Sequence, residues 1–477
     1  LKPTHDPFHS EALGYAPPGK TILGHPIGLF VLFFTEMWER FSYYGMRGLL
    51  RAYMVYYLFS SANLLKYPEE APTVTGDPTD PMGVLGFSFF RGIYSEGSVN
   101  DMASSLYGLY TALVYATPFF GGLIADRFLG QRKSVVVGGI IMAVGHFVMA
   151  SEQLFFVALG MLIIGNGFFK PNISTQVGDL YPPGDARRDG AFTIFYMGIN
   201  LGAFICNLVC GTLAAVYGWH WGFGAAGVGM VLGLVVYLLG RSTLAPEKPR
   251  AVKQNNAGST EPLTGEEWKR IGALVVLFLL NITFWAVYEQ QGNTLQAWAD
   301  TQTVWPKIGD FQIPANWYQS FNPGVIIFLA PLLDMFWGWQ KERGTEPSSV
   351  SKMALGSMLL GVSFIVMVVG AQLVGDGKGS LFWPLFCTLI LTVGELYLSP
   401  IGLSLVTKVS PVRIVSMMMG MWLGSSFIGN YLSGWLGTFY DDMTKPAFFG
   451  MLSAIGFATG FAMWAFNRPL KRVIGGH

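Results

Sequence analysis

Apolar residues along this chain collect in long runs of about 20, the length that carries an α-helix across roughly 30 Å of hydrocarbon and is too long for strands. Six runs fall near residues 28–59, 101–125, 134–150, 154–177, 191–214 and 222–240. Six more fall near 271–294, 319–339, 350–374, 381–406, 414–439 and 446–466. The stretch between the sets, RSTLAPEKPRAVKQNNAGSTEPLTGEEW over 241–268, is polar, carries prolines and is dense in charge, so it reads as a linker between two membrane halves. The pattern predicts an all-α integral membrane protein with 12 transmembrane helices. They form a six-helix bundle over 1–240, a cytoplasmic linker over 241–268 and a second six-helix bundle over 269–477. Six plus six places a solute site near the bilayer midplane, between the halves.

Composition agrees: 52% of residues are hydrophobic and 12% charged, with a mean hydropathy of +0.43, outside the usual range of soluble domains. A net charge of +1 gives no field to attract nucleic acid, and the expected surroundings are a lipid bilayer. The cations are unevenly spread. Arg127, Arg132 and Lys133 follow the second run, Arg187 and Arg188 the fourth, Arg241, Lys248, Arg250 and Lys253 lie in the linker, and Lys341, Arg343 and Lys352 follow the eighth. Lys408, Arg413, Arg468, Lys471 and Arg472 continue the series, while the opposite loops hold scattered charges such as Lys307, Lys378 and Lys445. Cations concentrate on the cytoplasmic side, so both termini are expected inside a plasma (inner) membrane. Residues 1–20 lack the apolar core of a secretory signal. A long outer loop is expected over 60–100, with an apolar stretch at 84–93 lying along the membrane surface.

A charge at the bilayer centre costs about 2.5–3.5 kcal/mol on insertion scales, so intramembrane charges need a reason. In TEMWERFSYYGMRGLLR, residues Glu36, Glu39, Arg40, Tyr43, Tyr44, Arg47 and Arg51 recur at helical spacing and form one stripe, which must face protein or water. Ion pairs that only pin helices together, such as Glu36 with Arg40, are the competing explanation; packing alone is met more cheaply by apolar residues. Lys170 precedes Pro171, which removes a helical hydrogen bond, and Glu395 comes before Pro400. Glu289 lies in FWAVYEQQGN. Cations in the first half thus face acids in the second, a pattern suited to a zwitterion such as a free peptide. For Glu289 or Glu395 alone, a structural ion pair and a ligand contact both remain open. The same holds for the aromatics Tyr43, Tyr44, Tyr115, Trp285 and Trp422, which either line pockets or simply pack.

Enzyme motifs find little support. Gly222, Gly224 and Gly227 spell GxGxxG, but no strand precedes them, and with Gly229 and Gly233 they fit close helix packing better. The histidines lack metal-ligand spacing, and Cys206, Cys210 and Cys387 sit in apolar runs as core residues. No metal or cofactor is expected.

Gly122, Asp126, Arg127, Gly130, Arg132 and Lys133 in GGLIADRFLGQRK resemble the loop between the second and third helices of the major facilitator superfamily. Glu36, Glu39, Arg40, Phe41, Tyr43 and Tyr44 are similar to the ExxERFxYY motif of the proton-dependent oligopeptide transporter family. KPNISTQVGD from Lys170 and FYMGINLG from Phe195 resemble its other two signatures, and the likeness extends through SFNPG and GELYLSPIGLSL. The resemblance implies a proton-coupled symporter importing di- and tripeptides by alternating access, working as a monomer; a carrier of nitrate or another small anion is the alternative. It further implies that Arg40 and Lys170 receive the peptide carboxylate, Glu395 and Asn322 the amino terminus, and Asn200 and Tyr44 the backbone. Tyr43, Tyr115, Trp285, Trp422 and Ser426 would line the cavity, Glu36 and Glu39 would carry protons, and Glu289 would pair with Arg47 at an outer gate. Two helices that many bacterial relatives carry between the halves are missing. Gly108 stands where animal members have a histidine, so a proton path must run through carboxylates.

Overall fold

The computed structural model of the 477-residue chain describes residues 21–68, 72, 74, 76–94, 97–182, 185, 187–246, 263–411 and 414–474. Lys248, Arg250, Lys253, Arg413, most of the 241–268 linker and the N-terminal 1–20 stretch lie outside the described residues, as do the side chains of Arg468, Lys471 and Arg472.

Every apolar run is helical. The first half comprises α1 (Ile27–Tyr53), the short α2 (Phe87–Ile93), α3 (Val99–Ile124), α4 (Gln131–Val148), α5 (Phe155–Asp179), α6 (Arg187–Tyr217) and α7 (Trp219–Gly240). The second comprises α8 (Gly265–Tyr288), the short α9 (Thr294–Thr301), α10 (Phe321–Glu342), α11 (Ser349–Val374), α12 (Phe382–Val409), α13 (Val415–Asp442) and α14 (Lys445–Ile474). Among the described residues, 9 helical segments are long and apolar enough to cross a membrane; α1 falls outside that set because of its own charges. The result is an all-helical membrane protein. Among the described residues, strands are confined to two-residue pairs, such as the antiparallel pair Lys307–Ile308 with Phe311–Gln312, which turns at Gly309 with φ +61°.

The chain divides into two compact units. One draws on Leu1–Leu49, Met82–Leu85 and Ala116–Asn256, the other on Leu50–Pro81, Gly86–Tyr115 and Ala257–His477. In the first unit, α4 packs on α5 and α7, and α6 on α7. Glycine lets α6 and α7 come close to α1: a Cβ on Gly202 would lie 2.2 Å from the Met37 carbonyl oxygen, and one on Gly229 2.5 Å from the Phe41 ring. Gly222 is similarly crowded, with Leu49 at 2.6 Å, and Gly227 and Gly233 have neighbours at 3.1 and 3.2 Å, which bears out close packing; Gly224 of the same run faces open space. Cys206 and Cys210 are buried thiols beside Gly45, consistent with core packing. In the second unit, α11 packs on α12 and α14, and α8 on α13 and α14, around a core that includes Phe284, Phe364, Phe448 and Phe449.

Two loop features follow from single residues. Gly130 adopts φ +81° at the start of α4, after a π-helical turn over Ala125–Leu129, and lets the chain reverse between α3 and α4. Arg132 then donates from Nη2 to the carbonyls of Leu244 and Ala245, at 2.8 and 2.7 Å, and ties the chain beyond α7 to the start of α4. The stretch expected to be surface-lying forms α2, with Leu85, Phe89 and Ile93 exposed and Phe87 buried.

Pro171 forfeits one hydrogen bond without ending α5. The carbonyl it leaves without a helical donor belongs to Gly167, four residues earlier, and α3 comes closest there: a Cβ on Gly121 would meet that oxygen at 2.0 Å. A Gly121→Ala substitution is therefore expected to destabilise the protein by about 1–3 kcal/mol through overpacking. Gly160, with nothing within 4 Å of its Cβ position, should accept alanine without loss. Thermal melting in detergent distinguishes the two, and equal melting temperatures would refute the close packing of α3 on α5.

Candidate functional site

Two clusters of ionisable groups stand out, one in each unit. The first is built on α1. Glu36, Glu39 and Arg40 are 1%, 0% and 2% exposed, so water does not solvate these charges. Neighbouring residues on a helix point apart, yet the long arginine side chain turns back far enough to form a fork. Its Nε donates to Glu39 Oε2 at 2.5 Å and its Nη2 to Glu39 Oε1 at 2.7 Å. Such bidentate, charge-assisted pairs are among the stronger hydrogen bonds in proteins. Glu36 lies one turn earlier, with Oε1 3.3 Å from the same Nε; its Oε2 is buried with no hydrogen-bond partner. Asn166 of α5 adds a longer contact to Arg40 at 3.4 Å. The Tyr43 and Tyr44 rings lie 5.0 and 5.9 Å from the guanidinium carbon, and Arg47 lies 5.9 Å from the Tyr44 ring.

Lys170 follows Asn166 by one turn on α5 and interacts electrostatically with Arg40, Glu36, Glu39 and Arg47. Arg40, Arg47 and Lys170 thus share this apolar surrounding with Glu36 and Glu39.

The second cluster centres on Glu395 of α12. Tyr288 Oη donates to Glu395 Oε2 at 2.6 Å, and Asn322 Nδ2, which also donates to Thr392 Oγ1 at 2.8 Å, reaches the same oxygen at 3.3 Å. Both partners are neutral, so this carboxylate is oriented without being matched in charge. Trp285 packs edge-on against Tyr288 at 5.1 Å, and Trp422 against Phe278 at 5.9 Å. Trp422 also fills the space above Gly402, where a Cβ would lie 2.2 Å from its ring.

The structure thus brings Glu36, Glu39, Arg40, Tyr43, Tyr44, Arg47 and Lys170 together in one unit, and Asn322 with Glu395 in the other. Asn200 is buried in α6 and donates to the carbonyl of Tyr196 on its own helix. Glu289 and Ser426 are buried in the second unit, where Tyr115 and Trp285 are half-buried. Arg51, placed in the α1 stripe, belongs to the second unit and donates to Asn293 Oδ1 at 3.0 Å and Asn100 Oδ1 at 3.1 Å. Sequence reasoning missed Asn166, Tyr288 and Thr392. Two of them carried a readable signal: Asn166 is one turn before Lys170, and Thr392 is three residues before Glu395.

Helices long enough to span a bilayer, with ionised groups gathered inside them and held by polar partners, define a membrane transporter rather than an enzyme. The sequence profile of the POT family matches residues 132–259 and 251–453. The chain is 32% identical to the uncharacterized transporter YclF of Bacillus subtilis (strain 168), with 98% of this chain and 99% of the relative covered. It is 31% identical to a di-/tripeptide transporter of Lactococcus lactis subsp. cremoris, over 96% of this chain and 98% of the relative. A crystal structure of a mutant peptide transporter POT in complex with alafosfalin superposes with a TM-score of 0.81 at 32% identity, covering 98% of this chain and 99% of that one. The chain belongs to the POT family, the proton-dependent oligopeptide transporters of the major facilitator superfamily. It is a proton-coupled peptide transporter.

Removing one partner of a buried ion pair strands the other. Glu39→Leu is therefore expected to destabilise the protein by about 3 kcal/mol, whereas Glu39→Gln keeps an acceptor for Arg40 and loses less. Melting of the two purified variants in detergent checks this, and an unchanged melting temperature for Glu39→Leu would show that Arg40 does not depend on the pair.

Proposed function

We propose that this chain imports di- and tripeptides together with protons by alternating access, through 12 membrane spans arranged as bundles over 1–240 and 269–477 joined by the 241–268 linker. In this reading the termini and the loops rich in Arg and Lys are cytoplasmic, and the 60–100 loop is outside. The observation that carries it is the pair of buried clusters: a guanidinium, Arg40, held by Glu39 and Glu36 with Lys170 near it, and a carboxylate, Glu395, whose hydrogen-bond partners are neutral. A peptide brings a carboxylate for the cationic groups of the first cluster and an ammonium for the acid of the second. Arg40 and Lys170 receive its carboxylate, and Glu395, oriented by Tyr288 and Asn322, receives its ammonium. Asn200 and Tyr44 bind the backbone, and Tyr43, Tyr115, Trp285, Trp422 and Ser426 surround the side chains. Glu289 and Arg47 form the outer gate.

The proton enters at Glu39 or Glu36. Protonating Glu39 turns an ion-paired fork into a contact between a cation and a neutral acid, weakens its hold on Arg40 and raises the local positive charge, so the guanidinium becomes available to a substrate carboxylate. Proton and peptide then favour each other's binding, and the coupling is reciprocal. A membrane potential contributes about 2.3 kcal/mol per charge per 100 mV, enough for roughly fifty-fold accumulation of a neutral peptide per proton.

Proteoliposomes with an inward proton gradient and a negative interior should concentrate labelled dialanine, and a protonophore should abolish the concentration step. No uptake by folded protein would overturn the peptide reading. Glu39→Gln is expected to retain peptide exchange while losing proton-driven accumulation; unchanged accumulation would remove Glu39 from the proton path. Glu395→Ala should reduce dialanine uptake at least tenfold. If nitrate is carried and that transport survives the change, the substrate is a small anion instead.

A further inference from the structure

The second unit contains a cavity of about 290 Å³ that the transport reading does not use. Its walls come from the end of α1 (Arg51), from the loop before α3 (Pro72 and Val74, with Asn100 at the helix start), from α9 (Ala297, Thr301) and from the ends of α11 and α13 (Asp376, Tyr440, Asp441, with Lys445 beyond). Polarity varies across this wall. Arg51 and Tyr56 are each 2% exposed, whereas Asp376 and Asp441 are open to solvent. The guanidinium is fixed by Asn293 and Asn100 through two of its five N–H groups, and both partners are neutral amides. The buried carboxylate of Asp300 acts on this charge electrostatically, but its own hydrogen bonds come from Tyr67 and Gln296, so among the described residues no carboxylate is hydrogen-bonded to the guanidinium. At the exposed side Lys445 pairs with Asp441 at 3.0 Å and lies 3.5 Å from the Tyr440 ring centre, so Asp376 supplies the acidic charge that this pair leaves over.

A buried cation and an exposed carboxylate in one lining suit a short zwitterion, and pockets near 300 Å³ are at the lower end of those that hold small ligands. We propose that this cavity is a second binding site for a zwitterionic amino acid or dipeptide, with the carboxylate directed to Arg51 and the ammonium to Asp376. The choice of a peptide as the zwitterion rests on the proposed function. The cavity uses none of Glu36, Glu39, Arg40, Lys170 or Glu395, so occupancy here is separable from occupancy of the transport site. In the proposed topology it opens to the outside, where it holds substrate before transport.

The test is protection of an introduced thiol in the full chain. The three native cysteines are buried, so a Thr301→Cys variant in proteoliposomes reports on the cavity when treated with a maleimide, and Lys378→Cys, exposed and outside the lining, is the control. Dialanine is expected to slow labelling at position 301 at least fivefold and to leave position 378 unchanged. Dialanine amide, which lacks the carboxylate, and N-acetyl-dialanine, which lacks the ammonium, should each need at least tenfold higher concentration. Protection should persist when Arg40→Ala is added, although transport does not. No protection, equal protection by the capped peptides, or protection that disappears with Arg40→Ala would each overturn the proposal. Failed uptake with intact protection would instead reject the transport reading and leave the site standing.

Discussion

A guanidinium that cannot reach water sets the terms for the first unit. Arg40 is buried, and the two carboxylates that make this tolerable, Glu36 and Glu39, are on its own helix, within one turn of it. A charge in hydrocarbon is costly, so α1 can present these groups only inward, and its neighbours must close around it. They do so through glycine: Gly202 of α6 and Gly229 of α7 bring backbone against Met37 and Phe41. Charge on one helix thus dictates small residues on two others. The same demand for internal partners places Asn166 and Lys170 on the facing side of α5.

The second unit meets the demand differently. Its central carboxylate, Glu395, is held by a phenol and an amide instead of a cation, and Arg51 is held by two amides. Neutral partners, donors to Glu395 and acceptors from Arg51, fix geometry without cancelling charge, and that is the condition under which a buried ionic group can still attract a charged ligand. A fully matched pair would be a strut. Asn293 shows how closely the geometry is set: its Oδ1 receives both Arg51 and Ser104, at 3.0 Å each, and a Cβ on Gly437 would lie 2.3 Å from its Nδ2.

Much of this was legible in the sequence because it is periodic or local. Helix positions follow from apolar runs, and the inward stripe follows from the spacing of Glu36, Glu39, Arg40 and Tyr43 on one helix. The glycine run in α7 was correctly assigned to packing for all but Gly224. Contacts between distant segments were not legible. Tyr67 donates to Asp300, 233 positions away, and Ser42 shares a 2.6 Å hydrogen bond with His146. Neither residue type nor spacing announces such partners, since they depend on how helices are rotated against each other. Arg51 fits the α1 stripe by spacing yet belongs to the second unit, because a helix can pass between surroundings that its periodicity does not distinguish.

Gly108 ties packing to proton chemistry. A Cβ there would lie 2.5 Å from the Gly434 Cα, so in this arrangement no larger residue fits, an imidazole least of all. His146, a buried histidine of α4, hydrogen bonds to Ser42. In the proposed mechanism the groups that take the proton are Glu36 and Glu39, which share one guanidinium. A proton arriving at either would then change the competition for the same N–H groups that a substrate carboxylate uses. So proposed, coupling requires no distant relay: competition for a single fork of donors, in a place where an unmatched charge is expensive, would link the two ligands directly.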